Sequence, residues 1–222
     1  MEVQSSLPAS TAFLPYRDTS LHYLSNITNS DFGFDPSSDL TPGVNEGGLK
    51  VWECSYDLIQ YLRSHPEVVV GKRVLELGCG HGLPGIACKL LGAGEVVFQD
   101  YTPSVLQRVT AANIDRNLNC TEGTRLISGP WGDYSHLGRF DLIISSETTY
   151  NPASYPQLLT AIRSCIAGRC LLACKTYYFG VGGGTEAFLQ AAQTAAFQTS
   201  VLSHFQDGRS SLRDLIEISL NS

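Results

Sequence analysis

A glycine-rich segment that begins at Glu76 and is followed by Asp100 has the residue types and spacing of a cofactor-binding loop. It runs from Glu76 to Gly85, with glycines at positions 78, 80, 82 and 85. Glycine permits a tight turn and lets a ligand approach the backbone closely, and the amides that open a following helix attract carboxylates and phosphates. Asp100 ends the next apolar stretch, where a carboxylate can accept hydrogen bonds from ribose hydroxyls. The pattern predicts a site for a cofactor that contains a nucleoside.

Two classes of cofactor fit this spacing. Gly80, Gly82 and Gly85 form G-x-G-x-x-G, with Asp100 twenty residues after the first glycine, as in nicotinamide dinucleotide sites. Three features favour S-adenosylmethionine instead. Glu76 opens an E-x-G-x-G-x-G pattern, the last two predicted strands have no helix between them, and we expect no separate substrate domain. We therefore expect a methyltransferase in preference to a dehydrogenase.

Strand-like and helix-like segments alternate around this loop. Strands are predicted at residues 73–78, 95–100, 125–128, 141–145 and 169–174. Helices are predicted near residues 51–62, 83–92, 103–117, 153–166 and 184–196. Short apolar strands that alternate with amphipathic helices indicate βαβ units and a mostly parallel sheet. The last two strands, at 199–205 and 212–220, are joined by a turn at 207–208 and predict an antiparallel hairpin.

The first 45 residues differ in composition from the rest of the chain. They are rich in Ser, Thr, Pro, Asn and Asp, with scattered aromatic residues, and this composition is typical of irregular structure. We expect an irregular N-terminal arm over residues 1–45 and an S-adenosylmethionine-dependent methyltransferase domain over residues 46–222. A length of 222 residues suits one such domain.

Composition excludes several other classes of protein. Hydrophobic residues make up 43% of the chain, too many for a mainly disordered protein. No apolar run approaches the roughly 20 residues of a membrane span. The net charge is −6 without any run of Lys or Arg, which argues against a nucleic-acid binder and favours a basic partner. The first ten residues lack the basic and apolar regions of a secretory signal, so we expect a cytoplasmic protein that can also reach the nucleus.

The cysteines and histidines do not form a metal site by their spacing. The chain has seven cysteines, with no C-x-x-C pair and no Cys/His spacing of the zinc type. Reduced, structural thiols are therefore expected, and no metal. His81 lies inside the glycine loop, and we interpret it as a loop residue and not as a base.

Several segments resemble a known family. The residues after the fourth predicted strand, Glu147-Thr148-Thr149-Tyr150, are similar to the [D/E]-x-x-Y motif of seven-stranded protein methyltransferases. The segments 47–54, 98–101 and 175–184 resemble the protein-histidine N-methyltransferases, which modify one histidine of a large-subunit ribosomal protein. The likeness covers about residues 38–220. It implies a seven-stranded, Rossmann-like class I methyltransferase sheet that ends in an antiparallel hairpin.

The same resemblance implies the reaction. The enzyme would transfer a methyl group from S-adenosyl-L-methionine to a histidine imidazole nitrogen of a basic protein, in this family a large-subunit ribosomal protein. It would act as a monomer, without direct contact to nucleic acid or membrane. A neutral imidazole already has a nucleophilic lone pair at pH 7, so alignment is the main demand on the site. Two alternatives stay open: a protein-lysine methyltransferase of the same superfamily, and a non-catalytic binding protein with this fold.

The resemblance also implies which residues contact the cofactor. Trp52 can stabilise a sulfonium cation with its ring face, and Glu53 can bind the methionine ammonium. Trp131 can pack on adenine, although either tryptophan could instead be a buried core residue. The predicted cofactor residues are Val51, Trp52, Glu53, Cys54, Ser55, Glu76, Gly78, Gly80, Gly82, Asp100, Tyr101, Gly129, Pro130, Trp131 and Ser146.

Catalytic roles fall on the residues after the fourth predicted strand. Glu147 can fix the imidazole tautomer by accepting the N–H of the nitrogen that is not methylated, while Tyr150 and Asn151 can shape the acceptor pocket. The alternative is that Glu147 caps the following turn. After the fifth strand, aromatic residues beside flexible glycines suit a wall and a lid around a flat ring. The predicted substrate residues are Tyr177, Tyr178, Phe179, Gly182 and Gly183.

Overall fold

The computed structural model describes residues 10–16, 19–38, 40–41, 45–208 and 211–220. Its strands, in chain order, are β1 (Ser10–Tyr16), β2 (Thr19–Ser25), β3 (Leu40–Thr41), β4 (Asn45–Glu46), β5 (Arg73–Leu77), β6 (Glu95–Asp100), β7 (Thr124–Ser128), β8 (Phe140–Ser146), β9 (Ile166–Lys175), β10 (Phe197–Phe205) and β11 (Arg213–Leu220). Its helices are α1 (Glu53–Ser64), α2 (Leu83–Leu90), α3 (Pro103–Val105), α4 (Ala111–Asn117), α5 (Tyr155–Cys165) and α6 (Thr185–Thr194). A π-helical turn at Leu106–Thr110 joins α3 and α4.

The central sheet has seven strands in the order β10-β11-β9-β8-β5-β6-β7. The five strands from β9 to β7 are parallel, and β11 is antiparallel to both β9 and β10. The predicted α/β class, the seven strands and the closing hairpin are confirmed. From β5 the chain moves to one side through β6 and β7, and then to the other side through β8 and β9. This switch leaves a crevice at the carboxyl ends of β5 and β8, where open α/β sheets bind their ligands.

Helices cover both faces of the sheet, which explains the long apolar runs in its inner strands. Along β8, Leu142 and Ile144 belong to the core that contains residues of α1 and α2, while Ile143 belongs to the core that contains residues of α5 and α6. All three side chains are buried. Alternate strand residues thus anchor helices on opposite faces, and the loops at the strand ends are held from both sides.

We predicted an irregular N-terminal arm. This prediction is wrong in part, because β1 and β2 form an antiparallel hairpin. Leu21 is buried in the core that contains residues of α1. The backbone N–H of His22 donates to Asn117 Oδ1 at 2.8 Å, and that of Leu24 donates to Asn113 Oδ1 at 2.9 Å. Side chains of α4 therefore satisfy the free edge of β2. The predicted boundary between arm and domain stays a prediction.

The seven cysteines are free thiols in the structure, and all but Cys120 are buried, which agrees with a structural role for the buried ones. Among the residues that the structure describes, no group of His, Cys, Asp and Glu side chains is arranged to hold a metal ion. None of the described helices is long and apolar enough to cross a membrane.

Candidate functional site

A cavity of about 750 Å³ opens at the carboxyl ends of the parallel strands. Its wall is formed by the glycine loop after β5, by the segments that follow β6, β7, β8 and β9, and by the segment between β4 and α1. This is the crevice created by the switch in strand order. The sequence motifs of the glycine loop and of the fourth predicted strand therefore meet in one place.

The glycine loop needs glycine because its backbone turns tightly against neighbouring atoms. Gly78 has a φ of +65°, in the left-handed region that glycine adopts without strain. A Cβ at this position would lie 2.7 Å from Thr148 Cγ2 and would force that side chain to move. Residue 78 can therefore line the cavity only as backbone, which leaves room for a ligand beside it.

Glu76 supports this loop from below and does not line the cavity. Its side chain is buried, and Oε2 accepts a hydrogen bond of 2.9 Å from the backbone N–H of Gly85 in α2. Burial raises the pKa of Glu76 well above its usual range, an effect that the hydrogen bond from Gly85 opposes. The predicted cofactor residue Glu76 thus fixes the loop and helix from outside the cavity wall.

The raised pKa of Glu76 predicts a pH-dependent gain in stability for Glu76→Gln. A carboxyl whose pKa is higher in the folded than in the unfolded state loses its stabilising effect as pH rises through the folded value. We expect the glutamine variant, which keeps an oxygen acceptor for Gly85, to raise the melting temperature at pH 8, by an amount that shrinks as pH falls. Glu76→Ala leaves that N–H unpaired and should cost about 1–3 kcal/mol. Thermal melts from pH 5 to pH 8, with exposed Glu67→Gln as control, measure this. A lower melting temperature of Glu76→Gln at every pH would contradict it.

Asp100 lies at the end of β6 and faces the same cavity. It is 5% exposed, with Oδ2 accepting from Gly80 N at 2.8 Å and Oδ1 from Thr102 N at 3.0 Å. Burial raises the pKa of Asp100, and hydrogen bonds from Thr102, Gly80 and Tyr101 oppose the increase. A carboxylate has about four lone-pair positions, so with three backbone donors in place one position remains for a further donor. This arrangement fits the predicted contact with ribose hydroxyls.

Gln99 connects the glycine loop to the predicted adenine side of the cavity. Its Oε1 accepts from Gly78 N at 3.2 Å and from Trp131 Nε1 at 3.0 Å. Its Nε2 donates to Gly129 O at 2.8 Å. The three contacts hold the indole of Trp131 against the loop, so Trp131 lines the cavity in a fixed orientation. Our sequence reasoning assigned no role to Gln99, although an amide inside an apolar strand was the available signal.

Only some of the residues that precede α1 or form its first turn line the cavity. Val51, Trp52 and Ser55 line the cavity, whereas Glu53 and Cys54 do not. The indole of Trp52 donates to Gly47 O at 3.0 Å. Trp52 is therefore on the cavity wall and not a core anchor of α1, whereas Cys54 is fully buried behind the wall.

Glu147 follows β8 with a φ of +58°, a left-handed conformation that is unusual for glutamate. Its side chain is 6% exposed and lines the cavity. Oε2 accepts a hydrogen bond of 2.7 Å from the hydroxyl of Tyr178, and Oε1 lies 3.5 Å from Cys54 N and 4.0 Å from Lys175 Nζ. The carboxylate does not cap the following turn, so the alternative interpretation of Glu147 is wrong. Burial, together with the charge of Glu147, raises the pKa of Tyr178.

Tyr150 and Asn151 also line the cavity, but the Tyr150 hydroxyl and Asn151 Oδ1 have partners within the protein. The Tyr150 hydroxyl donates to the carboxylate of Glu46. Burial and this hydrogen bond raise the pKa of Tyr150. Asn151 Oδ1 accepts from Ala153 N at 3.0 Å and so caps the next turn. Tyr150 is therefore positioned by the segment that enters α1, and the Nδ2 group of Asn151 is its remaining donor toward the cavity.

The segment after β9 forms an aromatic rim in place of a glycine lid. Tyr177, Tyr178 and Phe179 line the cavity as predicted, whereas Gly182 and Gly183 do not. Gly183 donates to Tyr150 O at 3.1 Å, and its Cβ would lie 2.3 Å from that oxygen. Position 183 thus needs glycine for close packing of two loops. The structure therefore does not place Gly183 on the substrate wall, where the prediction had put it.

His81 lines the cavity but has both ring nitrogens engaged. Nε2 lies 3.0 Å from Leu49 O, and Nδ1 lies 3.3 Å from Asn113 Nδ2. Because the carbonyl accepts and the amide donates, the ring is neutral with its proton on Nε2. Burial lowers the pKa of His81, which favours the same state. The arrangement agrees with its interpretation as a loop residue and not a base.

The structure brings most of the predicted site residues to one cavity. Those that line it are Val51, Trp52, Ser55, Gly78, Gly80, Asp100, Tyr101, Gly129, Pro130, Trp131, Ser146, Glu147, Tyr150, Asn151, Tyr177, Tyr178 and Phe179. Those that do not line it are Glu53, Cys54, Glu76, Gly82, Gly182 and Gly183. Lining residues that sequence reasoning missed include Glu46, Lys50, Lys175 and Gln157. The position of Lys175 at the carboxyl end of a strand was a signal for it, whereas Glu46 lies in a segment without any recognisable pattern.

Known proteins share both the sequence and the fold. A family model described as lysine methyltransferase matches residues 40–193. A histidine protein methyltransferase 1 homolog of Dictyostelium discoideum is 42% identical over 187 residues, which cover 82% of this chain and 60% of that protein. The homolog of Mus musculus is 37% identical over 208 residues, which cover 79% and 58%. The chain thus spans about three fifths of the length of these curated relatives.

A solved structure supports the fold assignment. The magnesium protoporphyrin IX methyltransferase of Synechocystis, with bound SAH, matches with a TM-score of 0.58 at 14% identity, over 74% of this chain and 81% of that one. At this identity the likeness shows the fold alone, which is that of the class I methyltransferases. The matches to histidine protein methyltransferases confirm the resemblance that the motifs indicated. Because the family model covers more than half of its residues, the chain belongs to the lysine methyltransferase family.

Proposed function

We propose that the protein is a protein-histidine N-methyltransferase that uses S-adenosyl-L-methionine. The observation that carries this proposal is the position of Glu147. Its buried carboxylate lines the same cavity as Gly78, Asp100 and the aromatic side chain of Tyr178. The predicted cofactor residues therefore line the same cavity as a carboxylate that can orient a flat acceptor ring. The names of the similar relatives support the same reaction.

The cavity fits the proposed cofactor. When bound, S-adenosylmethionine supplies an electrophilic methyl group on a positively charged sulfur. Asp100 would accept a hydrogen bond from a ribose hydroxyl through its remaining lone pair. The indole of Trp131, fixed by Gln99, would pack on the adenine ring. Gly78, which cannot carry a side chain here, leaves space for the methionine portion near the backbone.

The acceptor half of the cavity suits an imidazole. Tyr178 holds Oε2 of Glu147 at 2.7 Å, while the contacts of Oε1 are longer, at 3.5 Å to Cys54 N and 4.0 Å to Lys175 Nζ. Oε1 can therefore accept the N–H of the incoming ring, which leaves the lone pair of the other nitrogen for the methyl group. As the ring gains positive charge, the negative charge of Glu147 stabilises it. The N–H proton on the other ring nitrogen can then pass to Glu147 and on to water.

A basic protein is the acceptor class that we infer. The cavity mouth carries exposed apolar side chains, with Phe179 at 83% and Tyr177 at 50% exposure, and such patches are typical of protein-binding surfaces. The net charge of −6 favours a basic partner. Together with the motif resemblance, these features support a large-subunit ribosomal protein as acceptor. We further propose that a monomeric enzyme methylates it in the cytoplasm or nucleus.

Mapping of the modified residue tests this acceptor. Ribosomal proteins from cells that lack the enzyme are incubated with the protein and S-adenosylmethionine, and tandem mass spectrometry locates added methyl groups. We expect one new methyl group, on a histidine of one large-subunit protein. A methyl group on lysine would support the protein-lysine alternative. If the protein binds S-adenosylhomocysteine but modifies none of these proteins, the ribosomal acceptor is contradicted. If it does not bind S-adenosylhomocysteine at all, the non-catalytic alternative is supported.

A further inference from the structure

Lys175 brings a positive charge into the acceptor cavity. It is the last residue of β9, its side chain is 18% exposed, and it lines the cavity. Its Nζ lies 3.4 Å from Glu53 Oε2 and 4.0 Å from Glu147 Oε1. The ammonium therefore stands between two carboxylates, one of which is the proposed imidazole partner. The ammonium of Lys175 has no part in the proposed orientation of the imidazole by Glu147.

Two further contacts place Lys175 beside the aromatic side chains of the cavity. Its Nζ is 5.6 Å from the ring centroid of Trp52 and 6.0 Å from that of Tyr178. A second ammonium, that of Lys50, lies 4.5 Å from the Trp52 centroid. Aromatic faces and carboxylates are the groups that would otherwise attract a cationic acceptor. In this cavity the protein's own lysines already interact with them.

We propose that Lys175 is a specificity-determining residue that excludes lysine side chains and admits histidine. The inference rests on the proposed function, since it concerns the acceptor of the same cavity. It accounts for histidine selection on a fold whose family model is described by lysine methylation. Lys175 does this by repelling an incoming ammonium and by competing with it for the carboxylates that would bind it.

The physical basis is the different charge of the two acceptors at neutral pH. With a reference pKa near 10.4, a lysine side chain enters as a cation, and a like charge nearby opposes its binding. An imidazole, with a reference pKa near 6.5, enters mostly neutral and meets no such repulsion. A lysine must also give up a proton before it can attack, whereas a neutral imidazole already has a free lone pair. Both effects act against lysine and spare histidine.

Replacement of Lys175 by a neutral residue should relax this selection. In Lys175→Met, the Glu147 carboxylate loses the ammonium that lies 4.0 Å from Oε1 and becomes available to an incoming ammonium. A proton could then pass from that ammonium to Glu147 and on to water, which frees the amine to take the methyl group while the cofactor leaves as S-adenosylhomocysteine. Lys175→Arg keeps the charge and should keep the selection.

Binding of two small acceptor analogues tests the proposal without any transfer step. The full chain, saturated with S-adenosylhomocysteine, is titrated with N-acetyl-lysine N-methylamide and with N-acetyl-histidine N-methylamide. We expect Lys175→Met to bind the lysine analogue at least about tenfold more tightly than the unchanged protein. A tenfold change in affinity is the effect on binding free energy that a nearby charge has when it shifts a pKa by about one unit. The histidine analogue should change little, and Lys175→Arg should match the unchanged protein. Lys72→Met, which removes an exposed charge just before the amino end of β5, is the matched control.

Three results would overturn the proposal. The first is an unchanged ratio of the two affinities in a Lys175→Met protein that still binds S-adenosylhomocysteine. The second is a relaxed ratio in Lys175→Arg as well, because the charge would then not be the cause. The third is loss of S-adenosylhomocysteine binding in both Lys175→Met and Lys175→Gln, which would place Lys175 in the cofactor site. A failure of the proposed function would instead appear as absent histidine methylation by the unchanged protein, whatever these affinities are.

Discussion

Asp100→Ala is expected to weaken binding of S-adenosylmethionine by about 10- to 100-fold, because hydrogen bonds to a charged group contribute about 1.5–3 kcal/mol. The Asp100 carboxylate is the acidic group placed at the end of β6 to receive ribose hydroxyls. Its removal also leaves the N–H groups of Gly80 and Thr102 without their acceptors. Calorimetric titration with S-adenosylhomocysteine measures the loss, and Asp115→Ala, an exposed position on α4, is the matched control.

The pH dependence of cofactor binding gives a second readout for Asp100. Burial raises the pKa of this carboxyl, so protonation occurs at a higher pH than for an ordinary aspartate. Protonation removes the charge that strengthens its hydrogen bonds, so affinity should fall as pH is lowered through that raised value. Asp100→Ala should lack this fall. Unchanged affinity of Asp100→Ala, or the same acid dependence with and without Asp100, would remove the residue from the ribose site.

Glu147→Gln is expected to lower the rate of methyl transfer by about 100- to 1,000-fold, the usual effect of removing a preorganised group that stabilises developing charge. Glutamine keeps the shape of the side chain and an oxygen near Tyr178, but it cannot offset the positive charge that forms on the acceptor ring. Affinity for S-adenosylhomocysteine should change little, because the predicted cofactor contacts lie at other positions. Glu122→Gln, on the exposed segment before β7, controls for the loss of one negative charge.

Single-turnover kinetics with saturating cofactor measure this effect of Glu147. The rate of transfer should fall while the affinity for S-adenosylhomocysteine is retained. Equal single-turnover rates in Glu147→Gln and the unchanged protein would void the proposed role. A parallel loss of S-adenosylhomocysteine affinity would instead place Glu147 in the cofactor site.

Much of the fold could be predicted because its signals are local. The strands around the glycine loop are short apolar runs, and both of their faces are covered by helices whose own apolar residues recur at helical spacing. The hairpin of β10 and β11 was predicted from the absence of a helix between two strands, and the structure confirms it. The hairpin of β1 and β2 was missed because its partners are distant in sequence. Asn113 and Asn117 hydrogen-bond to its backbone, and no pattern near residue 20 reports this contact.

The site shows the same division between local and distant signals. Asp100 and Glu147 stand at or directly after the carboxyl ends of strands, so topology alone places them at the crevice. Glu76 and Gly183 belong to recognisable motifs, yet the structure uses them to hold loops together. A motif records which residues are needed but not whether they contact a ligand. Gln99 was missed for the opposite reason, since its role depends on Trp131, which lies 32 residues further along the chain.

The most direct test of the account is the chemical identity of the methylated amino acid. Ribosomal proteins from cells that lack the enzyme are incubated with the protein and S-adenosylmethionine labelled in its methyl group, and the products are hydrolysed and separated by chromatography. The account predicts that the label elutes as methylhistidine and that Glu147→Gln removes most of it. Label that elutes as methyllysine would contradict histidine methylation, and with it the role assigned to Lys175.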